Sequence, residues 1–228
     1  MAERLATWVW VGASALALVA GMVNVVGYLG FEHQAITHLT GTTTLLGSAL
    51  AGGDLHAAGQ LAAMLLAFVG GATLSGLLVQ DSVLRLGRRY GVALAIEAVL
   101  LALAVPLFTR GSFAGPVLAA VAIGLQNAMA TTYSGAIIRT SHVSGMFTDL
   151  GITLGHALRG LPVARRRLWL CLVIITSFLA GGILGALAFH AVDYRALYFP
   201  AVLTGVTGLS YAAWKHVKLN ADQSGNRR

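Results

Sequence analysis

Apolar residues run along this chain in long blocks broken by short polar stretches. Six blocks are long enough to span a bilayer as helices of about 20 residues. They cover residues 8–30, 59–80, 91–109, 115–138, 168–190 and 196–216. Two further apolar stretches, 39–52 and 144–158, fall below the usual spanning length of about 17 residues. The pattern predicts an all-α, polytopic transmembrane helical bundle with six spans plus two short re-entrant or broken helices.

Composition agrees. The chain is 57% hydrophobic and 10% charged, against about 45–50% and about 25% for a soluble domain. So little charge cannot cover a water-facing surface, and the lipid bilayer is the expected solvent and partner. The net charge of +7 raises nucleic acid as an alternative partner. However, the basic residues cluster between the apolar blocks, which is the positive-inside pattern and not a binding stripe, so no nucleic acid is expected.

Charge placement also addresses the crossing number. With six crossings and a cytoplasmic N-terminus, 13 basic residues fall inside and only Arg110 and Arg195 outside. If both short stretches also crossed, the division would be 10 to 5; a seven-span arrangement gives 12 to 3 but treats two similar segments differently. The six-span reading places both termini in the cytoplasm of a bacterial plasma (inner) membrane. The first apolar block is longer than a signal-peptide core of about 7–15 residues, and the leader carries only Arg4 beside Glu3, so it reads as a retained span. Residues 218–228 are polar and read as a disordered cytoplasmic tail.

An internal repeat is the most informative feature. Thr37-His38-Leu39-Thr40-Gly41 opens one short segment and Ser141-His142-Val143-Ser144-Gly145 opens the other. The match extends through Thr44/Thr148, Leu46/Leu150, Gly47/Gly151 and Leu50/Leu154 at a fixed offset of 104 residues. Upstream, Gly21-x-x-Asn24 matches Gly124-x-x-Asn127; downstream, Gly70-Gly71 matches Gly181-Gly182. Residues 1–110 thus form a first repeat and 111–217 a second. Three crossings per half would insert the second half upside down, an inverted 3+3 repeat as in many secondary transporters.

The short segments would dip to mid-depth and return as half-helices capped by a hydroxyl residue. Irregular backbone at that depth must line a cavity or pack inside protein. Converging half-helix N-termini would favour an anionic or electronegative group. The expected solute-binding residues are Asn24, His38, Thr40, Gly41 and Thr44, with Asn127, His142, Ser144, Gly145 and Thr148. Gln126 is a further amide within a span. Asp149 and Glu97 are the intramembrane acids and the candidates for proton coupling. A lone Cys171 excludes an internal disulfide, and the histidine spacings offer no metal site, so no metal or cofactor is expected. Gly181-x-x-x-Gly185 and Gly151-x-x-x-Gly155 suit close helix packing within the monomer, a homodimer seam being the alternative use.

The stretch Gly21–Gly47 and the run Gly124 through Leu150, with Arg139-Thr140-Ser141-His142-Val143-Ser144-Gly145-Met146-Phe147-Thr148-Asp149-Leu150 at its end, resemble the YoaK-like family of bacterial membrane proteins of unknown function. The resemblance covers nearly the whole chain. It implies an Asp where this chain has Asn24, and Thr-Gly-Asn where it has Thr40-Gly41-Thr42. It supports class and topology but carries no substrate. The leading expectation is therefore a secondary transporter or permease for a small-molecule solute, not an enzyme. A membrane scaffold or sensor is the alternative. An intramembrane serine hydrolase built on Ser134 or Ser144 with His142 or His156 is the third reading. The repeat explains Ser144 and His142 better, because the first half carries Thr40 and His38.

Overall fold

The computed structural model describes residues 7–30, 36–79, 88–134, 140–163 and 165–225. Arg4, Arg85, Arg139, residues 31–35 of the first dip and the last three residues lie outside that set. The described residues form α1 (Thr7–Gly30), α2 (Leu39–Ala51), α3 (Leu55–Leu78), α4 (Arg88–Thr109), α5 (Ala114–Ser134), α6 (Val143–Leu158), α7 (Arg165–Val192), a 3-10 turn (Asp193–Leu197) and α8 (Tyr198–Gly225). The architecture is all-α. Among the described residues, five stretches are long and apolar enough to cross a membrane: Trp10–Gly30, Leu55–Leu78, Arg89–Thr109, Ala114–Thr132 and Arg165–Tyr211. The last holds 47 residues and contains α7 and the first half of α8, with the 3-10 turn between them. Asp193 turns the chain there with φ 58°, in the left-handed region. Leu66, Leu77, Leu187 and Val202 are well exposed, as lipid-facing side chains are.

The two short helices hold 13 and 16 residues. At about 1.5 Å per residue neither reaches the roughly 30 Å of a hydrocarbon core. Each ends at a glycine with positive φ, Gly53 after α2 (74°) and Gly160 after α6 (68°), the conformation that stops a helix with its last carbonyls satisfied.

Boundaries differ from the sequence reading in two places. First, α3 begins four residues earlier than expected, because the Asp54 carboxylate accepts the Ala57 N–H at 2.9 Å and caps it. Second, residues 218–225, read as a disordered tail, continue α8. That stretch has no proline, and extending an existing helix through Lys, Leu, Ala and Gln costs little once the nucleus exists.

Two apolar clusters sit at opposite ends of the bundle. One contains Val23 and Val26 of α1, Met64 of α3, Leu101 and Val105 of α4, Ala119 and Ile123 of α5, and Ala201 of α8, with Phe189 of α7 packed against it. The other contains Ala13 and Ala17 of α1, Val79 just after α3, Tyr90 and Leu94 of α4, Met129 of α5, and Leu170 and Ile174 of α7, with Tyr211 of α8 against it. Each long helix runs from one cluster to the other, and successive long helices run in opposite senses. In particular, α1 arrives at the cluster from which α3 departs, and α5 arrives at the cluster from which α7 departs. The short helices α2 and α6 therefore begin and end within one end-half of the bundle.

Apolar side chains gain little by leaving lipid for protein, so close backbone approach must hold these helices together. The chief contacts exchange partners between the halves: α1 packs on α7 and α3 on α5, while α4 packs on α8 and α5. A side chain at Gly21 would overlap the carbonyl oxygen of Phe178, and one at Gly181 that of Leu18. Across the other pair, Gly124 meets the carbonyl of Phe68 and Gly71 that of Val121. Helices α1 and α7 run side by side in the same direction, from the Ser14–Ser177 hydroxyl pair at 2.7 Å to the hydrogen bond that Tyr194 donates to the Gly30 carbonyl. The contacts pair Gly71 with Gly181 and Phe68 with Phe178, one residue away from the alignment of Gly70-Gly71 with Gly181-Gly182. Gly185 also meets α1, at Met22 and Val25, so Gly181-x-x-x-Gly185 is used inside the monomer; Gly151 and Gly155 have open space.

These contacts give a paired prediction. Gly181→Ala or Gly124→Ala pushes a methyl into backbone that cannot yield, and should cost about 1–3 kcal/mol. Gly151→Ala, with no obstruction and a better helix former, should leave stability unchanged or higher by up to about 1 kcal/mol. Thermal unfolding of the purified variants in detergent measures both.

Candidate solute site between the two halves

The backbone just before each short helix is irregular, so its N–H groups have no helical acceptor and sit away from bulk water. An asparagine supplies what is missing in each half. Asn24 Oδ1 accepts both the Thr37 N–H at 3.1 Å and the Thr37 hydroxyl at 2.7 Å. Asn127 Oδ1 accepts the Ser141 N–H and the Thr140 hydroxyl, each at 3.3 Å. Its Nδ2 donates to Ser141 Oγ at 2.7 Å and to the Ile123 carbonyl at 3.2 Å. The two asparagines thus bind the necks of the short helices to α1 and α5.

The necks deliver a histidine to the start of each short helix. His38 and His142 are the N-cap residues, with φ/ψ of −100°/69° and −89°/59°, and neither side chain caps the helix. This corrects the expectation of a hydroxyl cap: Thr37 and Ser141 lie one residue too early and are engaged by the asparagines. Each imidazole instead lies over its own first turn, where Gly41 and Gly145 make room. A Cβ at Gly41 would stand 2.6 Å from His38 Nδ1, and one at Gly145 would overlap the His142 ring. The first helical hydrogen bonds are Thr42 N–H to the His38 carbonyl at 3.1 Å and Met146 N–H to the His142 carbonyl at 3.3 Å. The three amides before each of these have no acceptor within their helix, and they carry the positive end of the helix dipole. The Asp54 cap on α3 shows the contrast.

Both N-termini open on one cavity of about 820 Å³, within the range of about 300–1,000 Å³ typical of small-molecule sites. Its wall is built from repeat partners: Asn24 with Asn127, Thr37 with Ser141, His38 with His142, Leu39 with Val143, and Thr40 with Ser144. Phe68 and Phe178 form a sixth pair, one from α3 and one from α7. Thr131 and Thr132 add hydroxyls from α5 alone. Among the described residues lining the cavity there is no Asp, Glu, Lys or Arg.

Not every expected residue faces this space. Gly41 and Gly145 act through the histidines. Thr44 and Thr148 return their hydroxyls to the carbonyls of Thr40 and Ser144, both at 3.0 Å, and are exposed outside the wall. Asp149 is held by Arg167 at 2.7 Å, with the Arg167 side chain 61% exposed. Glu97 is fully buried in α4, also outside the wall. His156 and His190 occupy the last turns of α6 and α7. The phenylalanine pair escaped the sequence reading, although Phe-x-x-Gly71 and Phe-x-x-Gly181 were a signal for it. Gln126 plays a larger part than its sequence position suggested: its Nε2 donates to the Leu16 carbonyl at 2.7 Å and to the Thr140 hydroxyl at 3.1 Å.

Comparison with protein families matches residues 12–210 to DUF1275, described as proteins of unknown function. The chain belongs to the DUF1275 family. This agrees with the resemblance to YoaK-like proteins, and the matched span includes both necks, both histidines and the whole cavity wall. Comparison with curated proteins and with solved structures gives no match. The chemistry of this DUF1275 protein must therefore be read from its own cavity.

The necks predict unequal costs. Asn127→Ala strips partners from a buried N–H and two hydroxyls and should destabilise by about 1–3 kcal/mol. Asp149→Asn breaks a largely solvated ion pair and should cost less than about 1 kcal/mol, falling further with added salt. Thermal unfolding at low and high ionic strength separates the two.

Proposed function

We propose that this DUF1275 protein is a permease of the bacterial inner membrane for a small anionic or strongly electronegative solute, bound in the central cavity. One observation carries the reading: two uncapped half-helix N-termini meet in a single cavity with no acidic side chain among its described lining residues. Helix N-termini favour negative charge. Discontinuous segments at matched positions in two repeats are the usual construction of a transporter site. The imidazoles of His38 and His142 would hydrogen-bond the solute, the hydroxyls of Thr40 and Ser144 would orient it, and Phe68 and Phe178 would close its apolar sides.

The topology belongs to the same proposal. The six long helices cross the membrane, α2 and α6 re-enter from opposite faces, and the two halves form an inverted 3+3 repeat. The alternating senses of successive long helices support this, as does the parallel packing of α1 on α7, which a seven-span arrangement would make antiparallel. Arg89, Arg159, Arg165, Arg166 and Arg167 lie at one end of the bundle, while Arg110 and Arg195 lie at the other, so the arginine-rich end faces the cytoplasm. Alternating access would then follow from rocking one set of helices against the other about the fixed cavity.

The purified protein should be stabilised by its solute. A ligand at about 100 times its Kd adds about 2.7 kcal/mol, a rise in unfolding temperature readable across a panel of small anions and neutral metabolites. Hits should show flux in proteoliposomes, and His38→Ala or His142→Ala should weaken both responses. A broad panel with neither shift nor flux would sink the permease reading in favour of a scaffold or sensor. For topology, Asp54→Cys and Asp193→Cys, each in a Cys171→Ala background, should label from the same outer face. Labelling from opposite faces would reject the six-crossing arrangement.

A further inference from the structure

The two necks are not held alike. In the first half, Val23 and Ile36 are buried apolar residues. Their repeat partners in the second half are Gln126 and Thr140, joined by a hydrogen bond and both fully buried. Gln126 Nε2 is occupied by Leu16 O and Thr140 Oγ1, which leaves its buried Oε1 without a partner. Both carboxyl oxygens of Glu97 are likewise buried without a partner.

Register sets these two groups at one level. Helices α4 and α5 form an antiparallel hairpin in which Phe108 packs against Gly115. Glu97 lies eleven residues before Phe108, and Gln126 lies eleven residues after Gly115. Eleven residues are roughly three helical turns, so Glu97 and Gln126 fall at the same level of the pair, on the helix faces that carry Phe108 and Gly115. That level is the seam between the two apolar clusters, with Leu94 below and Leu101 above on α4. The facing levels of α3, α5 and α8 carry no ionisable side chain. Among the described side chains, such groups on the packed elements are Arg89 and Tyr90 on α4, Tyr198 and Tyr211 on α8, Asp193, Tyr194 and Arg195 on the 3-10 turn, and His56 at the far end of α3.

We propose that Glu97 is a proton-binding site that controls the second neck through Gln126. A carboxylate at this level would be an uncompensated buried charge, and the Gln126 oxygen at the same level would be a second acceptor without a donor. Glu97 therefore carries its proton here, and the carboxyl O–H is complementary to the empty Gln126 Oε1. With that proton in place, the Gln126 amide is fixed with Nε2 toward Leu16 and Thr140, which secures the approach to His142. Loss of the proton draws Nε2 to the carboxylate and releases Thr140 and the Leu16 carbonyl. Only the proton leaves; no bond within the amide changes. Because Val23 and Ile36 replace these groups in the first half, the first neck is indifferent to the proton. The inference deepens the permease reading by giving its cavity a proton-sensitive side, but its test needs no solute, so the two stand or fall separately.

The test is amide hydrogen exchange of the purified protein in lipid nanodiscs across pH. Residues 140–146 are compared with the matched residues 36–42, which cancels the intrinsic pH dependence of exchange. In the wild type the ratio should rise about tenfold with pH, as expected for losing the Gln126 hydrogen bonds. In Glu97→Gln it should stay flat, and in Gln126→Leu it should be high and flat at every pH. A wild-type ratio that does not change with pH overturns the proposal. So does a pH dependence that survives in Glu97→Gln or Gln126→Leu, which would assign the effect to the histidines.

Discussion

Peptide groups that leave a helix inside a membrane have no water to turn to, and this protein meets the requirement twice with one device. An asparagine one helix away takes the stray N–H before each short helix, Asn24 for Thr37 and Asn127 for Ser141. The rest of the site follows from that attachment. Fixing the neck fixes the histidine at the N-cap, and the glycine three residues on lets the imidazole fold over the first turn. The amides of that turn are then left facing the cavity instead of being capped. Asparagine fits this task better than the Asp that the family resemblance implies at position 24. Its Oδ1 accepts from the neck as a carboxylate would, without placing a charge beside the cavity.

Much of this was legible in the sequence because lipid imposes a simple rule on helix length. The six long blocks and two short ones came directly from uninterrupted apolar runs, with ends correct to a few residues except at α8, which runs on to Gly225. The repeat named the residues that converge: Asn24, His38, Thr40, Asn127, His142 and Ser144 all line one wall. Missed features were those that depend on which helix faces which. Thr44 and Thr148 follow the repeat as faithfully as the histidines do, yet a turn of helix carries them to the outside. The repeat likewise does not encode the pairing of Asp149 on α6 with Arg167 on α7. The glycine pairs were seen, but their alignment was one residue off, which hid Phe68 and Phe178.

The departures from symmetry are as informative as the symmetry. A protein whose halves were identical would present the same wall to both sides of the membrane. Here Gln126 and Thr140 stand where Val23 and Ile36 stand in the other half, and Thr131 and Thr132 add polarity on one side only. One neck is therefore held by its asparagine and apolar packing, and the other by its asparagine and the hydrogen-bonded Gln126–Thr140 pair. Small side-chain differences at matched positions thus set the two necks apart while the frame stays common.

The exchange of partners between halves has a consequence for how the chain is made. Gly21 and Gly71, the closest-packing positions of the first half, meet α7 and α5, which are synthesised after it. A ribosome that has released the first 110 residues has therefore inserted helices whose tightest faces are still bare, and whose first neck leads toward a half-built cavity. Assembly must wait for the C-terminal half, so early termination leaves an orphan for quality control instead of a smaller working unit.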